Sequence, residues 1–574
     1  MKQTFIARLS LIAILSVSST VFSQTTSSTA RIETKSPETT SGRTAKATTV
    51  QVIKSDLSEA LSVIEANHVD GKALDYNDVF KSSIDSMLHT LDPHSNYFDA
   101  KENEQFHTDQ LSEYFGIGAT IGDLSDPQGN VIATYIKATF DQAPAHRAGL
   151  RYGDKIVEVN GTSMLGKPFS EVRTFLRGPR GTVAKLVVER AATGKRENVE
   201  ITRGAVPQPS IAEAYMIRPG VGYLSMRGGF TKKTFDEFYR DMNELKAAGM
   251  QQLIIDLRDN GGGLVFQAFR VAETFLSSGQ AVFTQKGRFR GVNQLFESEN
   301  PSPDKSPIVM LVNRNTASAS EILAGALQDH DRALIVGTNT FGKGLVQNPF
   351  EDIGGNSMLL LTIAKYETPS GRLIQRDYSN GDIYNYLYDG GSLREEMAEQ
   401  ARPKGTASKT DTGRAVYSGG GIAPDVVVKP KTITIEQDRV ERKLANPVFA
   451  FALDLSLGRV RNYENYKVDR PITFGYDIKP TDYPVSPNLY ATFRQYAVDK
   501  YKFTPAQVDA EREFIERTLR AELITAAYGS QTSFQVYNQY DDQLQKAIDL
   551  LPQAKQLAMQ GEKARSVAGK SPAN

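Results

Sequence analysis

The sequence contains no cysteine in 574 residues. Disulfides, thiol catalysis and a lipid-modified cysteine are therefore excluded. A charge imbalance is missing too, since Lys+Arg and Asp+Glu both number 67. Nothing in that balance points to nucleic acid or an anionic membrane surface as a partner. The N-terminus has no long apolar run. Its greasy stretch, 9–22, is 14 residues broken by serines, or ~21 Å as a helix against a hydrocarbon core of ~30 Å. No period of 20–50 residues stands out, which argues against a solenoid.

What is present reads as a multidomain globular chain. Apolar content of 40% and charged content of 23% are ordinary, and the length calls for three or four domains. Lys2 and Arg8 precede the greasy stretch, and Val21-Phe-Ser23 before Gln24 has the small-residue pattern of a cleavage site. Residues 1–23 are expected to be a cleaved export signal, with a retained anchor as the alternative. The protein is expected in the periplasm, with release to the medium as the other destination. Without disulfides, an exported chain must stabilise itself by burial.

Residues 24–50 are rich in Thr, Ser and Lys and are expected to be a disordered linker. An N-terminal helical segment, 51–110, follows. Leu57, Leu61 and Ile64 mark one helix, and Val79, Ile84, Met87 and Leu88 mark a second that stops at Asp92-Pro93. Leu91-Asp-Pro-His-Ser-Asn-Tyr97 is then a turn. Residues 111–205 read as β-rich, with strands at 118–121, 131–136, 155–159 and 184–189 and one helix at 169–176. Pro207 and Pro209 mark a hinge. From 206 to 430 strands (221–226, 253–257, 308–312, 334–337, 358–363) alternate with helices (234–248, 319–328), the pattern of an α/β core. Residues 431–574 read as mainly helical, with helices at 505–527 (Thr504 as cap, Pro505 at the first position) and 540–559. Tyrosines are frequent in that last region.

Chemistry concentrates in Asn315-Thr-Ala-Ser-Ala-Ser-Glu321 and Thr340-Phe-Gly-Lys-Gly344. Ser318-Ala-Ser-Glu321 fits a capping box, and capping alone is one reading of Ser318. The other is a nucleophile at a helix tip, with the Ala319 N–H and the positive helix end facing any oxyanion formed there. His330 lies 12 residues further along the same helix, about 18 Å away. The remaining histidines lie upstream, so an imidazole base has poor candidates. Lys343 comes 25 residues after Ser318, and a helix out and a strand back would return it to the same edge. Lysine serves as a general base where burial lowers its pKa. Gln347, four residues on, shares its face on an extended segment and can orient the amine.

Two other motifs fail on inspection. Gly337 to Gly344 approaches a phosphate-binding loop, but Gly344 replaces the required hydroxyl and Leu-Val-Gln-Asn-Pro is poor helix material. Asp256-Leu-Arg-Asp-Asn-Gly261 has Arg258 at a ligand position of a calcium loop and Gln267 where a bidentate acid belongs. No metal or cofactor is expected. Strand 253–257 ending in Gly261-Gly-Gly263 is either a plain tight turn or a turn that offers backbone N–H groups to a substrate carbonyl.

These blocks resemble the carboxyl-terminal processing proteases, the tail-specific serine peptidase family. Leu91-Asp-Pro-His-Ser95, Gly116-Ile-Gly118, Ala148-Gly-Leu150, Gly153-Asp-Lys-Ile156, Asp256 to Gly263, Ala317 to Glu321, Thr340 to Gly344, Thr368-Pro-Ser-Gly-Arg372 and Gly420-Gly-Ile422 with Pro424-Asp-Val426 run in that family's order. The resemblance implies Ser318 as nucleophile, Lys343 as base and Gln347 as its partner. It implies an oxyanion hole from the backbone of Ala319 and of Gly261 or Gly262. Thr316 stands where a serine is often found, and a hydroxyl is retained. The β-rich segment resembles a PDZ domain. Phe115, Gly116, Ile117, Gly118 and Ala119 would then hold a terminal carboxylate and pair with the peptide, with Phe169, Val172 and Leu176 forming a groove wall.

The implied fold is multidomain α/β. It is a ClpP/crotonase-like protease core with an inserted β-rich PDZ domain, an N-terminal helical segment and a mainly helical C-terminal region. The implied activity is an exported serine endopeptidase acting on proteins with exposed C-termini. Its C-terminal region is a candidate surface for an adaptor or for self-association. Two alternatives stay open: a catalytically inert PDZ-containing binding protein on a crotonase-like scaffold, and a crotonase-like enzyme acting on acyl-CoA thioesters.

Overall fold

The computed structural model describes residues 49–568, apart from 112, 352, 380, 382–385 and 388–404. The expected export signal lies outside the described residues, as does nearly all of the expected linker. Among the described residues no helix is long and apolar enough to cross a membrane.

Both early helices form, as Val50–Asn67 and Tyr76–His89. The first buries none of its residues. The second ends before Pro93, and the chain turns into strand Asn96–Phe98, which pairs with Met358–Glu367.

A small β-sheet follows, with strands in the order Ala119–Ser125, Val131–Thr139, Lys155–Val159, Val183–Glu189, Arg196–Thr202. Helix Phe169–Leu176 lies against it, and its Val172 and Leu176 join a core with Ile136, Leu150, Ile156 and Val188. Strand Ala119–Ser125 is at the edge of this sheet. The chain enters along Glu113–Gly116 and leaves along Gly204–Pro207, and these two segments pair antiparallel. Pro207, expected in a hinge, thus closes a two-stranded ribbon, paired with Glu113.

The α/β core is built on a six-stranded sheet ordered Glu213–Arg218, Val221–Ser225, Gln252–Asp256, Ile308–Val312, Ala333–Gly337, Val426–Val427. The first pair is antiparallel and the rest are parallel. Parallel strands require cover on both faces. Helices Thr234–Ala247, Val265–Glu273 and Ala319–Asp329 cover one, packing on Leu253, Ile255, Met310 and Ile335. The opposite face, with Tyr223, Ile254, Val309 and Leu311, meets Leu544, Ile548, Leu551 and Leu557. Those residues belong to helices Asp542–Asp549 and Leu551–Ala568, so part of the expected C-terminal region completes the core.

The single helix expected at 540–559 is these two. Pro552 lacks the N–H that a continuous helix would need and suits the first turn of a new one. The helix expected at 505–527 is likewise two, Pro505–Ala510 and Arg512–Tyr528.

A second sheet places Met358–Glu367 between several partners. Strand Leu345–Phe350 pairs along one edge, while Asn96–Phe98 and Ala281–Gly287 share the other. The rest of the C-terminal region packs helix Ile435–Ser456 on Arg512–Tyr528 around Leu444, Val448, Phe451 and Leu519. This unit also grips the small β-domain. Glu522 pairs with Lys137 and accepts the Tyr152 hydroxyl at 2.9 Å. The Phe449 ring lies 3.7 Å from the Lys137 ammonium and edge-on to Tyr135 and Tyr152. Asn446 takes the Ser125 N–H at 2.8 Å and returns its amide to the Ser125 carbonyl at 2.9 Å, which mimics a neighbouring strand at the end of the sheet edge.

Candidate active site

Ser318 is the N-cap of helix Ala319–Asp329 and has φ +56°, ψ −117°. A non-glycine residue in that region is strained and persists only where its surroundings impose it. The imposing contacts are on both sides. Thr316 donates its hydroxyl to the Leu257 carbonyl at 2.8 Å, Ala317 N–H reaches the Asn260 carbonyl at 3.0 Å, and Ser320 Oγ donates to the same oxygen at 3.0 Å. The serine turn is thereby stitched to the loop after strand Gln252–Asp256.

Gly262 in that loop has φ +97°, and a Cβ there would lie 2.6 Å from the Ala317 oxygen and 3.0 Å from the Ala319 nitrogen. Only glycine permits this approach. Its own N–H donates to Asn260 Oδ1 at 2.9 Å. Among the described residues, the N–H groups of Gly261 and Ala319 donate to no protein acceptor. Asp256, at the strand end, is buried. Burial raises its pKa, but Arg258 and Arg227 overcome this and hold the carboxyl well below the usual range.

Glu321 joins the two halves of the site. Its Oε2 accepts the N–H of Ser318 at 2.8 Å and the N–H of Lys343 at 2.8 Å. Its Oε1 accepts the Gly342 N–H at 2.7 Å and the Thr340 hydroxyl. The Thr340 oxygen already accepts the Ile422 N–H at 2.6 Å, so its proton is free for Glu321. Burial raises the Glu321 pKa, yet donors occupy both oxygens, and the ionised carboxylate is the form that satisfies all of them. The Tyr366 hydroxyl, 3.0 Å from the Ser318 carbonyl and 2.9 Å from the Lys343 carbonyl, ties the same residues from the other side.

Lys343 is partly buried. Burial lowers its pKa to about 8, with the carboxylates of Asp92 and Glu321 partly opposing. Its ammonium donates to Gln347 Oε1 at 2.8 Å. No hydrogen bond joins it to Ser318 Oγ among the described residues, as is common in unliganded sites. Gln347 Nε2 donates to the carbonyl of His94. The His94 imidazole contacts the Tyr386 hydroxyl at 2.6 Å. Burial, reinforced by the Lys343 charge, lowers its pKa to about 2 and keeps the ring neutral. His330, the C-cap at the far end of the serine helix, is engaged away from this chemistry. Its two ring nitrogens contact Asp411 Oδ2 at 2.9 Å and the Ala281 carbonyl at 2.8 Å. Arg372 of the Thr368 block pairs with Asp329 at the far end of the serine helix.

The second candidate site is the loop before the β-domain's edge strand. Phe115 and Gly116 lie in the ribbon, while Ile117 and Gly118 form the turn into strand Ala119–Ser125. Gly118 has φ +72° and sits against Ala143 and Val206. Among the described residues, the N–H groups of Ile117 and Gly118 have no protein acceptor. Sequence reasoning assigned no role in the catalytic site to Asp92, His94 or Tyr366 and saw only the capping role of Glu321.

A strained serine tied to a low-pKa lysine, beside unpartnered amides, is an arrangement for acyl transfer. Comparison with known proteins agrees. Residues 220–384 match peptidase family S41, and residues 141–190 match the PDZ domain. A carboxy-terminal-processing protease of Bartonella bacilliformis is 35% identical over 301 residues, covering 52% of this chain and 67% of that protein. Carboxy-terminal processing protease CtpB of Bacillus subtilis is 31% identical over 323 residues, covering 56% and 65%. A carboxyl-terminal-processing protease of Synechocystis sp. is 34% identical over 292 residues, covering 50% and 66%. The alignments thus span about two thirds of the length of these relatives. The chain belongs to peptidase family S41, the carboxy-terminal-processing serine proteases, and it carries a PDZ domain.

Proposed function

We propose that this protein is an exported endopeptidase that takes proteins by their exposed C-termini and cleaves them with a Ser318–Lys343 dyad. Lys343 removes the hydroxyl proton as Ser318 Oγ attacks the peptide carbonyl. The oxyanion meets the N–H groups of Ala319 and Gly261, while Gly262 supplies close approach. Lys343 returns the proton to the leaving amine, and water then hydrolyses the acyl-enzyme. Gln347 orients the lysine.

The observation that carries this reading is the shared grip of one Glu321 oxygen on the backbones of Ser318 and Lys343. It fixes the two backbone nitrogens within twice a hydrogen-bond length of each other. A pKa of about 8 leaves roughly a tenth of the lysine as free amine at neutral pH, against less than about one part in a thousand for an ordinary lysine.

In this reading the edge strand Ala119–Ser125 pairs with the peptide, and the Ile117 and Gly118 amides hold its carboxylate. Export, and a periplasmic destination, rest on the pattern of residues 1–23. The finer fold reading is a ClpP/crotonase-like core, supported by the parallel sheet with a helix-borne nucleophile. An adaptor or self-association role for residues 431–574 is a separate proposal. Some of their tyrosines pack on one another, as Tyr476 does on Tyr528 at 4.1 Å.

The test is hydrolysis of a protein bearing an apolar C-terminal tail. Ser318→Ala and Lys343→Arg should both be inactive while folding normally, because arginine keeps the charge but cannot accept a proton. An active Lys343→Arg enzyme sinks the dyad. Hydrolysis of an acyl-CoA thioester in place of the peptide would favour the crotonase-like alternative.

A further inference from the structure

Gln347 is held by an unusual partner. Its amide can be placed either way round, and only its neighbours decide which end faces the lysine. The His94 carbonyl can only accept, so Gln347 must turn its Nε2 toward it. Its oxygen then faces the Lys343 amine. The correct orientation of the lysine's partner is therefore set by a backbone carbonyl from the turn 91–97.

That turn is built to hold the carbonyl still. Asp92 is 6% exposed and Ser95 1% exposed. Asp92 Oδ1 accepts the N–H of His94 at 2.8 Å, the N–H of Ser95 at 2.9 Å and the Thr362 hydroxyl at 3.0 Å. Asp92 Oδ2 accepts the Ser95 hydroxyl at 2.6 Å, and the Ser95 oxygen accepts the Thr362 N–H at 3.1 Å. Thr362 lies directly opposite Gln347 in the ladder between Leu345–Phe350 and Met358–Glu367. The turn is thus bolted to the strand position that faces Gln347. Among the described residues no cation forms an ion pair with Asp92, and its charge acts on Lys343.

We infer that the Asp92–Ser95 turn is a positioning element of the catalytic centre, with Asp92 and Ser95 fixing the His94 carbonyl that orients Gln347 against Lys343. The inference rests on the dyad reading. The titratable groups facing the lysine are the carboxylates of Asp92 and Glu321 and the neutral His94 ring.

Two variants separate the turn's geometry from its charge. Ser95→Ala removes hydrogen bonds and no charge. It should lower kcat by about 10–100-fold with KM little changed, and leave the acid limb of the pH profile where it is. Asp92→Asn should lower kcat similarly and also move that limb down by roughly one pH unit, because a nearby negative charge no longer stabilises the ammonium. The measurement is hydrolysis of fluorescein-labelled casein from pH 6 to 9.5, normalised to the folded fraction by circular dichroism. If Asp92→Asn does not fold, Thr362→Val takes its place and should lower kcat several-fold without moving the limb. A folded Ser95→Ala enzyme with kcat within twofold of wild type overturns the proposal, and so does an Asp92→Asn limb that stays or rises. Lys343→Arg is run alongside. If it is active the dyad reading fails first; if it is inert and Ser95→Ala is normal, only the turn's role fails.

Discussion

Replacing Gly262 with alanine puts the oxyanion loop to a quantitative test. The new Cβ would stand 2.6 Å from the Ala317 oxygen, 2.8 Å from Ser318 Cβ and 3.0 Å from the Ala319 nitrogen. Two of those atoms are backbone and cannot rotate away. The residue must also adopt φ +97°, which costs an L side chain about 1–3 kcal/mol. Relief of the overlap costs a similar amount, and either route moves Ser318 or the Ala319 amide. A displacement of about 1 Å in such a site lowers the rate about 100-fold. The expected result is a protein destabilised by about 2–6 kcal/mol whose folded fraction cleaves at about 1% of the wild-type rate or less. The assay pairs urea unfolding with active-site titration, so that rate per competent site is read directly. Gly291→Ala is the control, since nothing lies within 4 Å of a Cβ there. It should change stability by less than about 0.5 kcal/mol. A Gly262→Ala enzyme as active as wild type would refute the close approach of the glycine loop to the serine turn.

Further outcomes follow from the same contacts. Since Lys343 must be unprotonated and burial lowers its pKa to about 8, kcat/KM should climb with pH below that value and level off above it, and a flat profile between pH 6 and 8 would exclude a lysine base. Glu321→Gln sets an amide NH2 against fixed donors and should cost about 2–4 kcal/mol in urea unfolding and abolish activity. Wild-type turnover in that variant would show the carboxylate dispensable. Glu522→Ala breaks the contacts to Lys137 and Tyr152 and should speed hydrogen exchange in residues 131–152. Unchanged exchange there would show that Phe449 and Asn446 alone hold the β-domain.

The serine and lysine were legible because each sits in a local signal, a helix start and a glycine-rich turn, and helix–strand geometry predicts their return to one edge. The further partners of Glu321 were not. A capping glutamate looks the same in sequence whether or not a loop some 20 residues on donates to it. The His94 carbonyl had no chance of being found, because a backbone oxygen carries no side-chain signature. Helix Phe169–Leu176 was predicted to the residue, since its apolar spacing and Pro168 mark both face and start. Strands Ala281–Gly287 and Gln294–Glu297 were missed because Gln285, Lys286 and Gln294 interrupt any apolar alternation. Helices Asp542–Asp549 and Leu551–Ala568 read as helical, but amphipathicity says only that an apolar stripe is covered, never by what.

The closing helices set a rule for biosynthesis. Tyr223, Ile254, Val309 and Leu311 lie on a sheet face whose cover comes from residues 544–557, more than 200 residues after Val309 in translation order. Until the ribosome has released that stretch, one face of the sheet beneath the nucleophile loop lacks this cover. A chain terminated early, at residue 540 for instance, would carry the serine, the lysine and the glutamine but leave that apolar face bare, and is expected to aggregate rather than cleave.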